Sequence, residues 1–405
     1  MPSIFSLKKL QESGPRLLVV WMAGFQSVNR TVFREVARAG VPVHLVVPSR
    51  YYSSGHWITH EEPTEQPNGS SYLLTSLTPK GTHPRLQTLP GLEAVAKAFR
   101  PSHVLVDADP ASMLARQALR LPGKALVWAL TGENLMPRPF SEFVRSARAG
   151  SLRNIAGVGL TVALRHLVQN RIDRAFTLSR DGTTVLTRLG VRTTQTPLGF
   201  DPDLFYPYPE DQRAVARAEI GLTAPTIGYF GRLVPEKGLH LLIEVAERMA
   251  DLSWQLLLDD FTTYTSPYAE KLKAQISAST IEERVVFFEA THKEMPRYMN
   301  AADIVVLPSI STSKWKEQYG RVIQEAMACG RTMVGSTCGA IPEIMGGHGH
   351  LFAEADVRAL ERLLRRLLAR GEFQDLAARD YAIAELSIAR QAQILLDSLY
   401  CHCRF

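Results

Sequence analysis

The chain has 405 residues, of which 45% are hydrophobic and 21% are charged, close to the values of an average globular protein. This composition excludes a disordered, collagen-like or coiled-coil chain, and the length favours two or three domains. Four cysteines are too few for a disulfide framework and favour a reducing compartment. No run reaches the roughly 18 apolar residues of a membrane span, and residues 1–16 lack the apolar stretch of a signal peptide. We therefore expect a cytoplasmic, two-domain soluble protein.

Charge is distributed unevenly along the chain. Residues 1–200 contain 24 Lys and Arg against 12 Asp and Glu, a net charge of +12, whereas residues 201–405 contain 22 against 28, a net charge of −6. The asymmetry indicates two units with different partners. A basic unit suits nucleic acid, an anionic membrane or a phosphorylated ligand. The alternative is an arginine-rich surface without a role.

Short apolar runs alternate with longer amphipathic segments, a pattern that predicts parallel sheets covered by helices on both faces. The predicted strands are 16–21, 41–47, 103–106, 125–129, 174–178, 226–230, 254–258, 285–288, 304–307 and 332–335. The predicted helices include 26–39, 111–121, 238–250, 269–279 and 321–329. Residues 51–90 are predicted to be irregular, and the proline-rich residues 196–209 predict a linker between two similar halves. In such sheets, ligands bind beyond the carboxyl ends of the strands.

One further predicted helix, residues 152–168, is apolar on one side, contains Arg153 and Arg165, and has Arg145 and Arg148 nearby in the sequence. Such a helix can lie on an anionic membrane surface. It can equally pack against the sheet of its own domain, and both interpretations remain open at this point.

Several cofactor and metal motifs are incomplete. The loop after the first strand has one glycine, Gly24, so it does not form a dinucleotide fingerprint, and no phosphate loop ending in Gly-Lys-Ser/Thr is present. Asp107 and Asp109 form a carboxylate pair at a strand end, for which a capped turn is a better interpretation than a metal site. A metal site at residues 401–403, Cys-His-Cys, is not expected either.

The informative cluster lies in the second half of the chain. Gly231 and Arg232 follow a predicted strand, and Lys237 comes five residues after the arginine. A glycine permits close backbone approach, and two cations at a strand end can clamp a diphosphate. Further on, Glu317 precedes a helix and Glu325 lies within it. The N-terminus of that helix can bind an anion, and Glu325 can accept hydrogen bonds from a ribose diol. The alternative is that both carboxylates are ordinary capping or surface charges.

Together these residues resemble the retaining glycosyltransferases of family 4. The resemblance spans residues 174–360, and the first 170 residues share only the order of elements. It rests on Gly231-Arg232, Lys237, Pro308-Ser309, Glu317, Glu325, Cys329-Gly330, Gly339, Pro342-Glu343 and the connector at residues 197–207.

The resemblance implies the α/β GT-B fold, in which two Rossmann-like parallel-sheet domains face each other across a cleft that holds the active site. The implied divisions are an acceptor-binding domain (1–196), a linker (197–209), a donor-binding domain (210–383) and a helix that crosses back to the first domain (384–405).

The resemblance also implies roles for individual residues. Arg232 and Lys237 bind the donor diphosphate and stabilise the leaving nucleotide, and Glu317 lies near the anomeric centre; these three are the implied catalytic residues. Glu325 binds the ribose. The remaining donor-binding residues are Gly24, Gly231, Gln318, Tyr319 and Gly320, and the loop Glu289–Thr291 contacts the base.

The implied reaction is a metal-independent hexosyl transfer from a nucleotide-diphosphate sugar, without a cofactor or a nucleic-acid partner. The expected acceptor is a carbohydrate or a lipid-linked sugar in surface polysaccharide or glycolipid synthesis, with a possible role for an anionic membrane at the cytoplasmic face. The family often has a histidine near the reacting sugar, whereas the corresponding strand ends here offer Asp109 and Glu133 for the acceptor side. Gln318 stands where glycine is common, and Asp259-Asp260-Phe261 replaces a glycine turn.

Two other function classes remain open. One is a nucleotide-sugar-binding protein with weak or no turnover. The other is an epimerase or phosphorylase on the same fold, which should carry acid and base residues on both domains or a pyridoxal-phosphate lysine, respectively. Donor hydrolysis distinguishes an enzyme from a binding protein.

Overall fold

The computed structural model describes residues 14–53, 56–59, 72–135, 143–144, 147–148, 151–259 and 266–401. The chain divides into two compact units. Unit 1 combines Met1–Thr196 with Ile388–Phe405, and unit 2 is the continuous segment Pro197–Ser387.

Unit 1 is built on a seven-stranded sheet in the order β5-β2-β1-β6-β7-β8-β9, and every pair within it is parallel. A separate antiparallel hairpin is formed by β3 and β4. The strands of unit 1 are β1 (Leu17–Val20), β2 (Val43–Pro48), β3 (Arg50–Ser53), β4 (His56–Thr59), β5 (Leu73–Leu77), β6 (His103–Asp107), β7 (Leu126–Thr131), β8 (Arg174–Thr177) and β9 (Thr193–Gln195). The central strand β1 is buried along its whole length, as expected for an apolar strand covered on both faces.

The part of unit 1 that the structure describes also contains α-helices. They are α1 (Thr31–Arg38), α2 (Leu92–Phe99), α3 (Met113–Ala118), α4 (Leu152–Leu167), α5 (Arg180–Arg188) and, from the end of the chain, α14 (Ile388–Cys401). Helix α14 packs against α1, so the last helix completes the unit in which the chain begins.

Unit 2 has a six-stranded parallel sheet in the order β12-β11-β10-β13-β14-β15. Numbered from its own first strand, this is the order 3-2-1-4-5-6 of a Rossmann sheet. The strands are β10 (Thr226–Tyr229), β11 (Gln255–Asp259), β12 (Val285–Phe288), β13 (Ile304–Leu307), β14 (Thr332–Ser336) and β15 (His350–Phe352).

The helices of unit 2 bury apolar residues against both faces of its sheet. They are α6 (Glu210–Ile220), α7 (Leu239–Arg248), α8 (Pro267–Ser277), α9 (Met295–Ala301), α10 (Arg321–Ala328), α11 (Ile341–Met345), α12 (Val357–Arg370) and α13 (Leu376–Leu386). Within the described ranges, no helix of either unit combines the length and apolarity needed to cross a bilayer.

The predicted fold class, two parallel-sheet α/β domains, is confirmed. The prediction that residues 51–90 are irregular is wrong, because they supply β5 and part of the hairpin. Strand β5 lies at the sheet edge and stays partly exposed, so it lacks the continuous apolar run of an inner strand. The predicted helix 26–39 begins only at Thr31, after two 3-10 turns.

The segment predicted as one final helix is divided in two. Helix α13 ends at Leu386, and α14 begins at Ile388. Ser387 between them is extended, with φ −76° and ψ 163°, and forms a parallel bridge with Phe200. The backbone of Ser387 therefore ends the first helix.

Candidate functional site

The loops that follow β10 and β13 meet at the point where the strand order of unit 2 reverses. Gly238, at the start of α7, has φ +71°. A Cβ atom on this residue would lie 1.9 Å from the carbonyl oxygen of Pro308, so only glycine allows the two loops to approach this closely. Ligands of doubly wound sheets bind at such a reversal.

Lys237 and Glu317 form an ion pair at this point. The Nζ atom of Lys237 lies 2.6 Å from Oε2 of Glu317, and the two side chains are 12% and 6% exposed. The hydroxyl of Ser309 donates to the same oxygen at 3.0 Å. The Trp315 ring lies against the lysine ammonium, 5.4 Å from Nζ to the ring centroid. One carboxylate oxygen thus fixes the position of a buried cation.

The backbone of Glu317 is held by the turn after β14. Its N–H donates to Sγ of Cys338 at 3.5 Å, and its carbonyl accepts from the N–H of Ala340 at 3.0 Å. A Cβ on Gly339 would lie 2.2 Å from that same carbonyl oxygen. These contacts hold the glutamate in one place before any ligand binds.

Arg232 is the exposed cation of the group. Its carbonyl accepts a hydrogen bond of 3.0 Å from the Tyr229 hydroxyl. Tyr229 is fully buried, and burial raises the pKa of its hydroxyl well above the ordinary value. Among the residues that the structure describes, no side chain pairs with the Arg232 guanidinium. The backbone is therefore anchored while the charged group remains available.

The loop before α10 presents its backbone rather than an aromatic ring. Gly320 has φ +81° and directly precedes the helix. The Tyr319 ring is buried, and its hydroxyl donates to Oε1 of Gln324 at 2.7 Å. Gln318 is exposed. The N–H groups of the first turn of α10 supply partial positive charge that suits a phosphate.

Glu325 lies on α10 with 7% of its surface exposed. Burial raises the pKa of its carboxyl to about 7, and the nearby Arg321 charge acts in the opposite direction. No hydrogen bond to this carboxylate occurs within the described part of the chain. A buried carboxyl group without a partner is costly, and hydroxyl groups of a ligand would satisfy it.

Gly24, by contrast, lies in unit 1 within a 3-10 turn. A Cβ there would lie 2.8 Å from the Trp21 side chain and 2.9 Å from Val47. Beside it, the N–H of Ala23 donates to Oδ2 of Asp107 at 2.7 Å. Asp107 therefore caps the loop after β1.

Asp109 and Glu133, from the ends of β6 and β7, are brought together by Arg85. The guanidinium lies 2.9 Å from Asp109 Oδ2 and 2.8 Å from Glu133 Oε2. Burial first, and then the Asp109 charge, raise the pKa of Glu133, while Arg85 opposes both. No sequence motif pointed to Arg85, which lies in the region predicted to be irregular.

The other sequence candidates do not join these two groups. In the loop after β12, the N–H and hydroxyl of Thr291 both donate to Glu294 at 2.8 Å. No cluster of His, Cys, Asp and Glu suited to a metal occurs among the described residues. Cys401 is exposed, whereas His402, Cys403, Asp260 and Phe261 lie outside the described residues.

The two units have the fold of the GT-B glycosyltransferases. Sucrose-phosphate synthase from Thermosynechococcus elongatus superposes with a TM-score of 0.66 at 20% identity, covering 96% of this chain and 100% of that one. HepE from Anabaena, solved in complex with UDP, superposes with a TM-score of 0.69 at 19% identity, covering 95% and 100%.

Residues 224–370 match the family described as "Glycosyl transferases group 1", which confirms the sequence resemblance over that segment. D-inositol 3-phosphate glycosyltransferase of Mycobacterium sp. (strain KMS) is 32% identical over 179 residues, 43% of this chain and 38% of that protein. Alpha-maltose-1-phosphate synthase of Mycolicibacterium smegmatis is 28% identical over 216 residues, 49% and 54%. The matches thus cover less than two thirds of each relative.

Proposed function

We propose that this protein is a retaining glycosyltransferase that moves a hexosyl group from a nucleotide-diphosphate sugar to an acceptor hydroxyl. The observation that carries the proposal is the buried Lys237–Glu317 pair at the strand-order reversal of unit 2. The names of the relatives support it, since they include a glycosyltransferase and a sugar-phosphate synthase. A neighbour of the same fold was solved with UDP-glucose.

In this proposal the donor binds across the loops of unit 2. Arg232 and Lys237 contact the diphosphate, and the first turn of α10 donates to phosphate or sugar oxygens through backbone N–H groups. Glu325 accepts from the ribose hydroxyls, which supply the hydrogen bonds that its carboxylate lacks. Glu317 lies beside the anomeric centre, held by Lys237 and Ser309.

In the proposed reaction the bond from the anomeric carbon to the phosphate oxygen breaks, and a bond to the acceptor oxygen forms on the same face. The acceptor proton passes to the departing phosphate oxygen. Negative charge grows on that phosphate, and cations already in place stabilise it without reorganisation. Two side-chain cations and a helix terminus supply this charge, so we propose that no divalent metal is required.

The acceptor side is assigned to unit 1. Asp109 and Glu133 are held by Arg85 at the carboxyl ends of β6 and β7, where carboxylates can accept hydrogen bonds from sugar hydroxyls. We assign the protein to surface polysaccharide or glycolipid synthesis, with a carbohydrate or lipid-linked acceptor.

The test is a donor screen followed by turnover. Thermal shift with UDP-, ADP- and GDP-linked hexoses identifies the donor, and release of free nucleoside diphosphate measures hydrolysis and transfer. We expect one donor to stabilise the protein and to be hydrolysed slowly, with retention at the anomeric carbon seen by NMR. Stabilisation without turnover, with any of a panel of sugar and lipid-linked acceptors, would instead indicate a binding protein, and inversion would exclude the retaining mechanism.

A further inference from the structure

Helix α4 exposes an apolar stripe that no interaction of the proposed active site uses. Among the residues of this helix whose burial the structure describes, only Leu164 is buried, within the core of unit 1. Next to it around the helix, exposed residues recur at spacings of three and four, which places them along one side. This α4 stripe consists of Leu152, Ala156, Gly159, Leu160, Ala163 and Leu167.

The stripe is unusual because its large side chains are so exposed. Leu152 is 81% exposed, Leu160 42% and Leu167 61%. The helix of 16 residues extends the stripe over about 22 Å at 1.5 Å per residue. An exposed apolar strip of this kind marks an interaction surface.

The charge around the stripe indicates what covers it. Residues 143–172 contain five arginines and no Asp or Glu. Arg148, before the helix, and Arg171, after it, are both exposed, and His166 is exposed within its last turn. A helix with an exposed apolar stripe and with exposed arginines before and after it in the chain complements an anionic bilayer, with leucines among the acyl chains and arginines at the headgroups.

A protein partner fits this surface less well. Protein interfaces concentrate their binding energy in aromatic residues and arginines that fill pockets. The α4 stripe contains only leucine, alanine and glycine, which supply apolar area but no directional contact. We propose that α4 docks unit 1 onto the surface of an anionic lipid bilayer.

The inference extends the proposed function, because a lipid-linked acceptor would lie at that surface. It can nevertheless be tested without any donor or acceptor. The assay is co-sedimentation of the full chain with vesicles of phosphatidylglycerol and phosphatidylcholine, compared with vesicles of phosphatidylcholine alone. We expect binding to the anionic vesicles that falls as salt is raised.

Two pairs of variants assign the binding to α4. Leu152→Gln with Leu167→Gln should weaken partitioning by about tenfold or more, whereas Val215→Gln with Leu376→Gln should leave it unchanged. The control residues are 56% and 52% exposed and lie in unit 2.

Arg148→Gln with Arg171→Gln should weaken partitioning about fivefold for each arginine that reaches the surface. The matched pair Arg358→Gln with Arg362→Gln, exposed on α12, should not.

Amide hydrogen exchange provides a readout on the native chain. Exchange within 152–167 should slow when anionic vesicles are added.

The proposal is overturned if the protein stays in the supernatant with anionic vesicles at low salt, or if the leucine pair and its control bind alike. It is also overturned if light scattering shows a dimer that the leucine pair dissociates, since a second copy would then cover the stripe. If the wild type binds vesicles but hydrolyses no donor, the proposed function is contradicted and the membrane inference stands.

Discussion

Lys237 and Glu317 are 80 residues apart in the chain, yet their charged atoms lie 2.6 Å apart. Both side chains are largely buried, and each restricts the other. The lysine cannot turn to solvent without breaking its ion pair with a buried carboxylate, which costs several kcal/mol. The pair therefore keeps a cation in position before the donor arrives, which is the condition for electrostatic stabilisation of a leaving phosphate.

We predict that Arg232→Ala lowers kcat by on the order of 100-fold or more, because a cation that faces growing charge acts mainly in the transition state. Steady-state kinetics at saturating donor measures the effect. Arg358→Ala on α12, which removes an exposed charge elsewhere in unit 2, serves as the control. Wild-type turnover in Arg232→Ala would remove this residue from the mechanism.

Trp315 is predicted to position the Lys237 ammonium through its ring face. Trp315→Leu should lower kcat/KM by about threefold to tenfold, the range of a partly buried cation–π contact. Trp315→Phe keeps an aromatic face and should retain most of the activity. Equal losses in the two variants would indicate that the indole merely fills space.

The raised pKa of the Glu325 carboxyl predicts that nucleotide affinity depends on pH. This carboxyl has a pKa of about 7 in the free protein, and hydrogen bonds from ribose hydroxyls favour the ionised form. Nucleoside diphosphate affinity, measured by calorimetry, should therefore rise as pH increases through 7. Because phosphate ionisation acts in the same direction near pH 6, the comparison is with Glu325→Gln, which should show a shallower rise. Parallel curves would contradict the assignment.

The same group predicts how the stability of the ligand-free protein changes with pH. The folded carboxyl retains its proton up to about pH 7, whereas the unfolded group releases it near 4.5. The unfolded state thus binds fewer protons between these values, and stability should fall as pH rises through that window. In denaturant titrations between about pH 4.5 and 7, the free energy of unfolding of Glu325→Gln should fall less steeply with pH than that of the wild type.

Activity is predicted to survive chelation. EDTA should leave turnover within about twofold of the untreated value, since Arg232, Lys237 and the start of α10 supply the positive charge that a metal would provide. Activity abolished by EDTA and restored by Mg²⁺ or Mn²⁺ would overturn this. It would also direct attention to Asp107 and Asp109, although Asp107 already accepts the Ala23 N–H.

The acceptor assignment predicts a separation of kinetic effects. Glu133→Gln should raise the acceptor KM by about tenfold, the loss of a hydrogen bond to a charged group, and should leave donor hydrolysis unchanged. Glu93→Gln, exposed on α2 of the same unit, is the control. A matching loss of donor hydrolysis would place Glu133 in the donor chemistry instead.

The inner strands could be predicted because burial on both faces demands an uninterrupted apolar run, and β13 occupies the predicted residues. The edge strand β12 could also be predicted, because its residues Val285–Phe288 are all apolar. The edge strands β5 and β9 could not be predicted in this way. One side of each has no neighbouring strand, so a continuous run of apolar residues is not required there. In the site, the family resemblance implied that Lys237 and Glu317 act together. It carried no information on their direct pairing, on Trp315 beside them or on Arg85, because each depends on contacts between distant parts of the chain.

The discontinuity of unit 1 has a consequence for protein synthesis. A ribosome completes unit 2, a single continuous segment, before it delivers α14 to its place against α1. Until then the apolar surface that α1 and α14 share is open to water, and the nascent chain holds an incomplete unit beside a finished one. A chain stalled after Ser387 should therefore recruit chaperones through its N-terminal half, even though that half was translated first.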